Sequence, residues 1–426
     1  MRRLAIAAAL ATALEWFDFL IYSTAAALVF GTLFFPLFSR VAGTLASFAT
    51  FAVGFLARPV GGIVAGHLGD RFGRKPPLVG ALVVMGLVTF AIGVLPTYHQ
   101  IGAWAPALLT VLRLVQGMGV GAQWGGAALL VTEHAPLTSR GFYGSLVQAG
   151  AVFGAVAGNA AFLLLTVVLP EREFVAWGWR VPFLGGLLLV LIGVYLQLRL
   201  ADTPVFRSMR EGSARRDVGI RRAPVREAVL RHWPQILRCA GAVVVVNGSF
   251  YLLTSGILSY AVKYVGLSDF QILACVLVAG ATELVTIPLF GAASDRWGRR
   301  RLVLVGAALM AGYAFPLFWL VDTGSVALVL LALVLAFTIH ANMHGPLAAM
   351  CAEMFPADLR YSGASLGYQI AAVFGGLTPF VMIALLAATG SAWPVSLYLV
   401  AMSAITFVAM LGMPETYRRD PHQTSW

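Results

Sequence analysis

Seven ionisable side chains stand inside long apolar runs: Glu15, Asp18, Arg58, Arg113, Glu283, His340 and His344. A charge held in hydrocarbon is costly, so such residues mark ion pairs, substrate sites or proton paths. Glu15 and Asp18 are three residues apart and share one helix face. Arg58 and Arg113 each lie about 13 Å from the nearer membrane surface, and Glu15 sits at similar depth. The two acids and two arginines can neutralise one another only if the first, second and fourth apolar segments converge. Two readings follow: a fixed salt-bridge staple, or a site that binds a substrate anion and passes a proton when a partner moves.

Glu283 has no cationic neighbour in sequence and either carries a proton or faces water in a central cavity. His340, Asn342 and His344 follow on one segment, with the histidines four residues apart on one face. A metal would need more ligands than this spacing supplies, so none is expected. The trio either hydrogen-bonds a substrate or packs against a neighbouring helix. Asn247, Tyr251, Gln148, Asn159, Tyr368 and Gln369 are polar residues of the same kind.

Stretches of about 20 apolar residues, each long enough to cross a bilayer as helix, must position these groups. Of 426 residues 60% are apolar and 11% charged, and the mean hydropathy is +0.86, outside the range of soluble globular chains. Twelve such segments can be counted. They run from about Leu4 to Phe30, Gly43 to Gly66, Pro77 to Leu95, Trp104 to Val131, Gly141 to Val168, and onward from Trp177-Gly178-Trp179-Arg180 to Leu198. The second set spans about Cys239 to Val262, Ser268 to Ala292, Leu302 to Val321, Val326 to Ala352, Tyr361 to Leu386 and Trp393 to Leu411. In the fifth, Gly150, Gly154 and Gly158 recur every four residues, the spacing that lets two helix backbones approach closely.

A module is repeated. Gly66-His-Leu-Gly-Asp-Arg-Phe-Gly-Arg-Lys returns as Gly291-Ala-Ala-Ser-Asp-Arg-Trp-Gly-Arg-Arg, so Asp70, Arg71 and Arg74 recur as Asp295, Arg296 and Arg299. Glu133 and Arg140 are separated by the same interval as Glu353 and Arg360, and Ser145-Leu146 and Ser365-Leu366 follow in step. Two copies of one unit therefore sit in tandem: residues 1–198 and 239–413, with an arginine-rich linker at 199–238 and a polar tail at 414–426.

The net charge of +11 reflects topology. With the repeated hairpins on the cytoplasmic side, 23 basic residues fall there and four, Arg40, Arg172, Arg180 and Lys263, on the other. This asymmetry places both termini in the cytoplasm and leaves no case for nucleic-acid binding. The linker carries ten arginines, which either hug anionic head groups or form a solvated tether. Cys239, Cys275 and Cys351 lie in or beside separate apolar runs, so neither a disulfide framework nor a metal site is indicated. The N-terminal Met-Arg-Arg followed by apolar residues imitates a signal peptide, but the run continues to Phe30, as a retained helix would.

The repeated hairpin, together with Arg113-x-x-Gln116-Gly117-x-Gly119-x-Gly121, resembles the major facilitator superfamily over nearly the whole chain. Glu15-Trp-Phe-Asp-Phe19, Arg58-Pro-Val-Gly-Gly62, Trp177-Gly-Trp-Arg-Val-Pro-Phe183 and Glu353-Met-Phe-Pro356 are similar to its metabolite:proton symporters, bacterial inner-membrane carriers of shikimate, 2-oxoglutarate, citrate, proline and betaine. Trp124 to Leu130 and Arg360 to Gln369 most resemble the shikimate-transporter branch.

The resemblance implies an all-α membrane protein of twelve transmembrane helices in two pseudo-symmetric six-helix halves. It also implies alternating access around a mid-membrane site, a monomer, no cofactor beyond a coupling proton, and a small-molecule substrate, anionic in the case of shikimate. Asp70 would hold the start of a facing second-half helix, with Arg74 reaching the Glu133 region, and Asp295 and Arg299 would echo this near Glu353. A purely folding role for these loops stays open. Where family members carry Gly-Gly-Glu, this chain has Gly121-Ala122-Gln123, so coupling would rest on Glu15, Asp18 or Glu283.

Proton-antiport efflux and an uncoupled facilitator are the alternatives. Superfamily antiporters show a proline where helix five here has Gly154-Ala155, which counts against efflux. No phosphate loop, nucleophile elbow or catalytic constellation is present, so enzymatic activity is not expected.

Overall fold

The structure, a computed structural model, describes residues 1–72, 75–121, 131–199, 224–355 and 360–417. Every regular element among them is helical, as hydrocarbon requires of a chain that must satisfy its own backbone polar groups. Twelve long helices follow in order: α1 (Arg2–Ala25), α2 (Arg40–Phe72), α3 (Lys75–Val94), α4 (Trp104–Gly121), α5 (Arg140–Val168), α6 (Val181–Arg199), α7 (Pro224–Tyr251), α8 (Asp269–Trp297), α9 (Arg299–Val321), α10 (Val326–Glu353), α11 (Arg360–Thr389) and α12 (Trp393–Leu411). Ten spans among the described residues are long and apolar enough to cross a membrane by themselves.

The packing repeats with the sequence. α1 lies on α5 as α7 lies on α11; α2 meets α4 as α8 meets α10; α3 pairs with α6 as α9 pairs with α12. The same rule governs the contacts between halves, where α5 packs on α8 and α11 packs on α2.

Glycines permit the closest approaches. A Cβ on Gly150 would stand 2.2 Å from the Ala9 carbonyl oxygen and one on Gly154 2.3 Å from that of Ala13, so the glycines of α5 form the seat of α1. On α4 the motif glycines serve α2: a Cβ on Gly117 or Gly121 would lie 1.9 Å from the carbonyl oxygens of Gly54 and Arg58 respectively.

α1 and α7 share a further irregularity. α1 continues through a π turn at Ala26–Phe30, and α7 through π turns at Leu252–Gly256 and Ala261–Val265. Such turns re-aim side chains within a helix, and here they lie where the two halves meet: Ser255 Oγ donates to Ser23 Oγ at 2.9 Å. α7 begins inside the arginine-rich stretch and kinks at His232 (φ −124°, ψ 21°), just ahead of Pro234, which cannot continue the hydrogen-bond ladder.

Candidate functional site

The arginines on α2 and α4 do converge with α1, but not as sequence suggested. Among the described residues no carboxylate lies within ion-pairing distance of Arg113 or Arg58. Of the two readings the sequence left open, the four-charge staple does not form among the described residues, where aromatic rings take the place of the acids. The Arg113 guanidinium carbon lies 3.9 Å from the centre of the Phe19 ring, 4.3 Å from Tyr22 and 4.7 Å from Phe51. Arg58 lies 5.2 Å from Phe55 and 5.7 Å from Phe19. Ring faces attract a cation without neutralising it. Arg113 donates through Nη1 to Gln116 Oε1 at 2.5 Å, and Gln116 donates to Thr89 Oγ1 at 2.8 Å. Nε and Nη2 of both buried arginines make no hydrogen bond.

The two acids of α1 separate. Glu15 is buried, feels the charge of Arg58 and leaves Oε1 unbonded. Asp18, fully buried, turns toward α3 and α6 instead, beside Thr89 and Gly186. Three residues along a helix is about 300° of rotation, so one broad face still serves two neighbours. Tyr251 and Tyr368, buried on α7 and α11, stand within the field of Arg58. Gln369 crosses between halves, donating to the Gly121 carbonyl at 3.2 Å.

Glu283 is not unpaired. Its Oε1 meets His340 Nδ1 directly and lies 3.7 Å from His344 Nδ1. His340 Nε2 faces the Val246 carbonyl at 3.0 Å. The argument against a metal from spacing alone therefore fails in space, since Glu283 supplies a third ligand atom; all three lie within 4.8 Å of one another. Asn342 turns away from this trio toward Gly306 of α9, and Asn247 packs against Gly375 of α11.

At one end of the bundle the repeated loop forms a latch. Asp295 accepts the backbone N–H groups of Gly141 (2.8 Å) and Phe142 (2.9 Å), capping the first turn of α5 from the other half. Arg299 bonds Asp295 at 2.8 Å and Glu353 at 3.3 Å; Arg140 lies 3.7 Å from Glu353, and Arg360 lies 3.6 Å from Glu133. The repeated acid–arginine pair is thus exchanged between halves, Arg140 turning to Glu353 and Arg360 to Glu133. Arg296 is exposed and stands outside this network. The side chains of Asp70 and Arg71, together with Arg74 and Gln123, lie outside the described residues.

Sequence reasoning missed several partners. Glu415 accepts the Arg299 backbone N–H at 2.8 Å and Thr416 donates to Glu353 at 2.8 Å, so the chain beyond α12 belongs to the latch. At the far end Lys263 of α7 donates to Thr44 of α2 and to the Ala27 carbonyl. An acid just past the last helix and a lysine just before a turn were the available signals, but neither names a partner.

Comparison with known proteins fits this architecture. The profile of the Major Facilitator Superfamily matches residues 4–377. The chain is 39% identical to the shikimate transporter of Escherichia coli (strain K12) over 420 residues, 98% of this chain and 95% of that protein. It is 38% identical to the Escherichia coli inner membrane metabolite transport protein YhjE, covering 96% and 93% of the two chains. It is 35% identical to the Dickeya dadantii glycine betaine/proline/ectoine/pipecolic acid transporter OusA, covering 98% and 84%. The proton:xylose symporter XylE bound to 6-bromo-6-deoxy-D-glucose superposes with a TM-score of 0.75 at 19% identity, covering 97% and 96% of the two chains, a likeness of fold. With twelve helices in two matching sets of six and a profile match across most of its length, the chain belongs to the Major Facilitator Superfamily of membrane transporters.

Proposed function

We propose that this transporter takes up a small polar carboxylate, shikimate or a related acid, together with a proton. One observation carries the reading: Arg113 and Arg58 are buried, with donor atoms unbonded and, among the described residues, no carboxylate paired to either. A buried cation without a counter-ion is costly, and a carboxylate substrate supplies the missing one, with Arg113 held flat by Phe19, Tyr22 and Phe51. The names of the shikimate and metabolite transport relatives support the substrate class.

In this reading residues 1–198 and 239–413 rock as two units about the arginines, joined by the linker at 199–238, with the tail from 414 on the latch side. The Asp295 latch closes the cytoplasmic mouth and the Lys263 contact closes the external one. Both termini are then cytoplasmic, the membrane is the bacterial inner membrane and the carrier works as a monomer. Tyr368, Tyr251 and Glu15 line the anion site beside Arg58. Equilibrium binding to the purified carrier tests the reading: shikimate or another small carboxylate binds, neutral sugars do not, and Arg113→Ala abolishes binding. Sugar binding that survives Arg113→Ala would refute it.

A further inference from the structure

Glu283, His340 and His344 form a second buried site, in the half of the chain away from the arginines. The hydrogen-bond geometry dictates its proton content. The Val246 carbonyl can only accept, so His340 Nε2, 3.0 Å away, carries a hydrogen. The contact of His340 Nδ1 with Glu283 Oε1 then needs one more proton between them. Either the imidazolium donates to a carboxylate, or a neutral carboxylic acid donates to the ring.

Without that proton two acceptors would face each other in a fully buried place. Loss of one proton therefore costs His340 one of its two contacts: the ring gives up Glu283, by movement of a helix or rotation of a side chain, or its remaining hydrogen moves to Nδ1 and the bond to the Val246 carbonyl is lost. His344 Nδ1, 3.7 Å from the same oxygen and without a hydrogen bond, offers the next seat for the proton, and His344 is the more exposed of the two histidines.

The surroundings leave the trio to itself. Titratable groups on elements packed against α8 and α10 include Arg140 and Tyr143 on α5, Tyr251 on α7, and Arg299 and Tyr313 on α9. None of them acts on Glu283 or His344, whose charged neighbours among the described residues are each other and His340. The trio is nonetheless joined to the anion site by a chain of tilted and edge-on ring contacts. Phe250 lies 5.8 Å from His340, 6.3 Å from His344, 5.4 Å from Tyr251 and 5.5 Å from Trp16. Tyr251 in turn touches Phe51 and Phe55, which hold the arginines.

We infer that Glu283 and His340 jointly hold the coupling proton, that His344 relays it, and that the proton is held in the half opposite the arginines that meet the substrate. The inference rests on the proton-coupled reading above, so its test includes a measurement that needs no substrate. The infrared difference spectrum of the purified carrier between acid and alkaline pH is expected to show a buried carboxyl change. That change should vanish in Glu283→Gln, shift in His340→Gln and persist in Asp18→Asn.

In proteoliposomes loaded with shikimate, Glu283→Gln is expected to retain counterflow exchange and to lose at least tenfold of the accumulation driven by an inward proton gradient. Gradient-driven accumulation that survives in both Glu283→Gln and His340→Gln overturns the inference, as does a carboxyl change unaffected by either. If shikimate is not carried at all while the Glu283 carboxyl change is seen, the substrate reading fails and the proton site stands.

Discussion

Asp295 caps Gly141 across the boundary between the two halves, its carboxylate accepting the N–H groups of the first turn of α5 while also bonding Arg299. A helix N-terminus favours a negative charge, and the same carboxylate is held by a cation. The contact therefore stabilises the packing of the two halves at that end, which in the proposed reading is the state closed at that mouth. An amide in its place keeps one acceptor and presents a donor where a second acceptor is needed.

Asp295→Asn is expected to weaken the latch by about 1–2 kcal/mol, in the range of a lost cap. The closed population then falls about five- to thirty-fold relative to the open one. Labelling of a single cysteine introduced at the latch mouth reads the change as faster modification. An unchanged labelling rate would remove the gating role.

The pseudo-symmetric rule extends the same role to Asp70, whose hairpin repeats that of Asp295. Because α11 packs on α2 as α5 packs on α8, Asp70 is expected to cap the first turn of α11, and Asp70→Asn to match Asp295→Asn in labelling rate and direction. A silent Asp70→Asn beside an active Asp295→Asn would show that the latch is one-sided.

The seating of α4 on α2 depends on missing side chains. A Cβ on Gly117 would stand 1.9 Å from the Gly54 carbonyl oxygen, whereas one on Gly312 of α9 meets nothing within 4 Å. Gly117→Ala should cost about 1–3 kcal/mol through overpacking and lower the unfolding temperature in detergent. Gly312→Ala should leave it unchanged or raise it slightly, since alanine is the better helix former.

Arg113→Lys separates charge from shape. Lysine keeps the positive charge but lacks the flat fork that lies over Phe19 and reaches Gln116. Half-saturation for a carboxylate is expected to rise about thirtyfold or more, in line with about 2 kcal/mol or more for a desolvated charge contact. Transport by Arg113→Lys at wild-type half-saturation would mean that charge alone suffices.

How much of this was legible in the sequence depends on how the information is written. The latch could be anticipated because the acid–arginine interval of Glu133 and Arg140 is repeated at Glu353 and Arg360, and tandem copies fold alike. The close packing of α5 could be read from Gly150 and Gly154, although the partner, α1, could not. The aromatic cage of Arg113 was hidden because α1 and α2 are apolar nearly all round, so no polar stripe fixes which face turns inward. The contact of Glu283 with His340 joins residues 57 apart on two helices, a relationship that only the tertiary packing creates. Glu15 and Asp18 shared a face in sequence and still found different neighbours, because a helix face about 100° wide or more can touch two helices.

The most direct test is uptake of labelled shikimate, beside other small carboxylates and a neutral sugar, by wild-type and Arg113→Ala proteoliposomes with and without an inward proton gradient. Wild-type carrier should concentrate a carboxylate above its external level only with the gradient, and Arg113→Ala should carry none. Equilibration that ignores the gradient, with or without Arg113, would contradict proton-coupled uptake of an anion at this site.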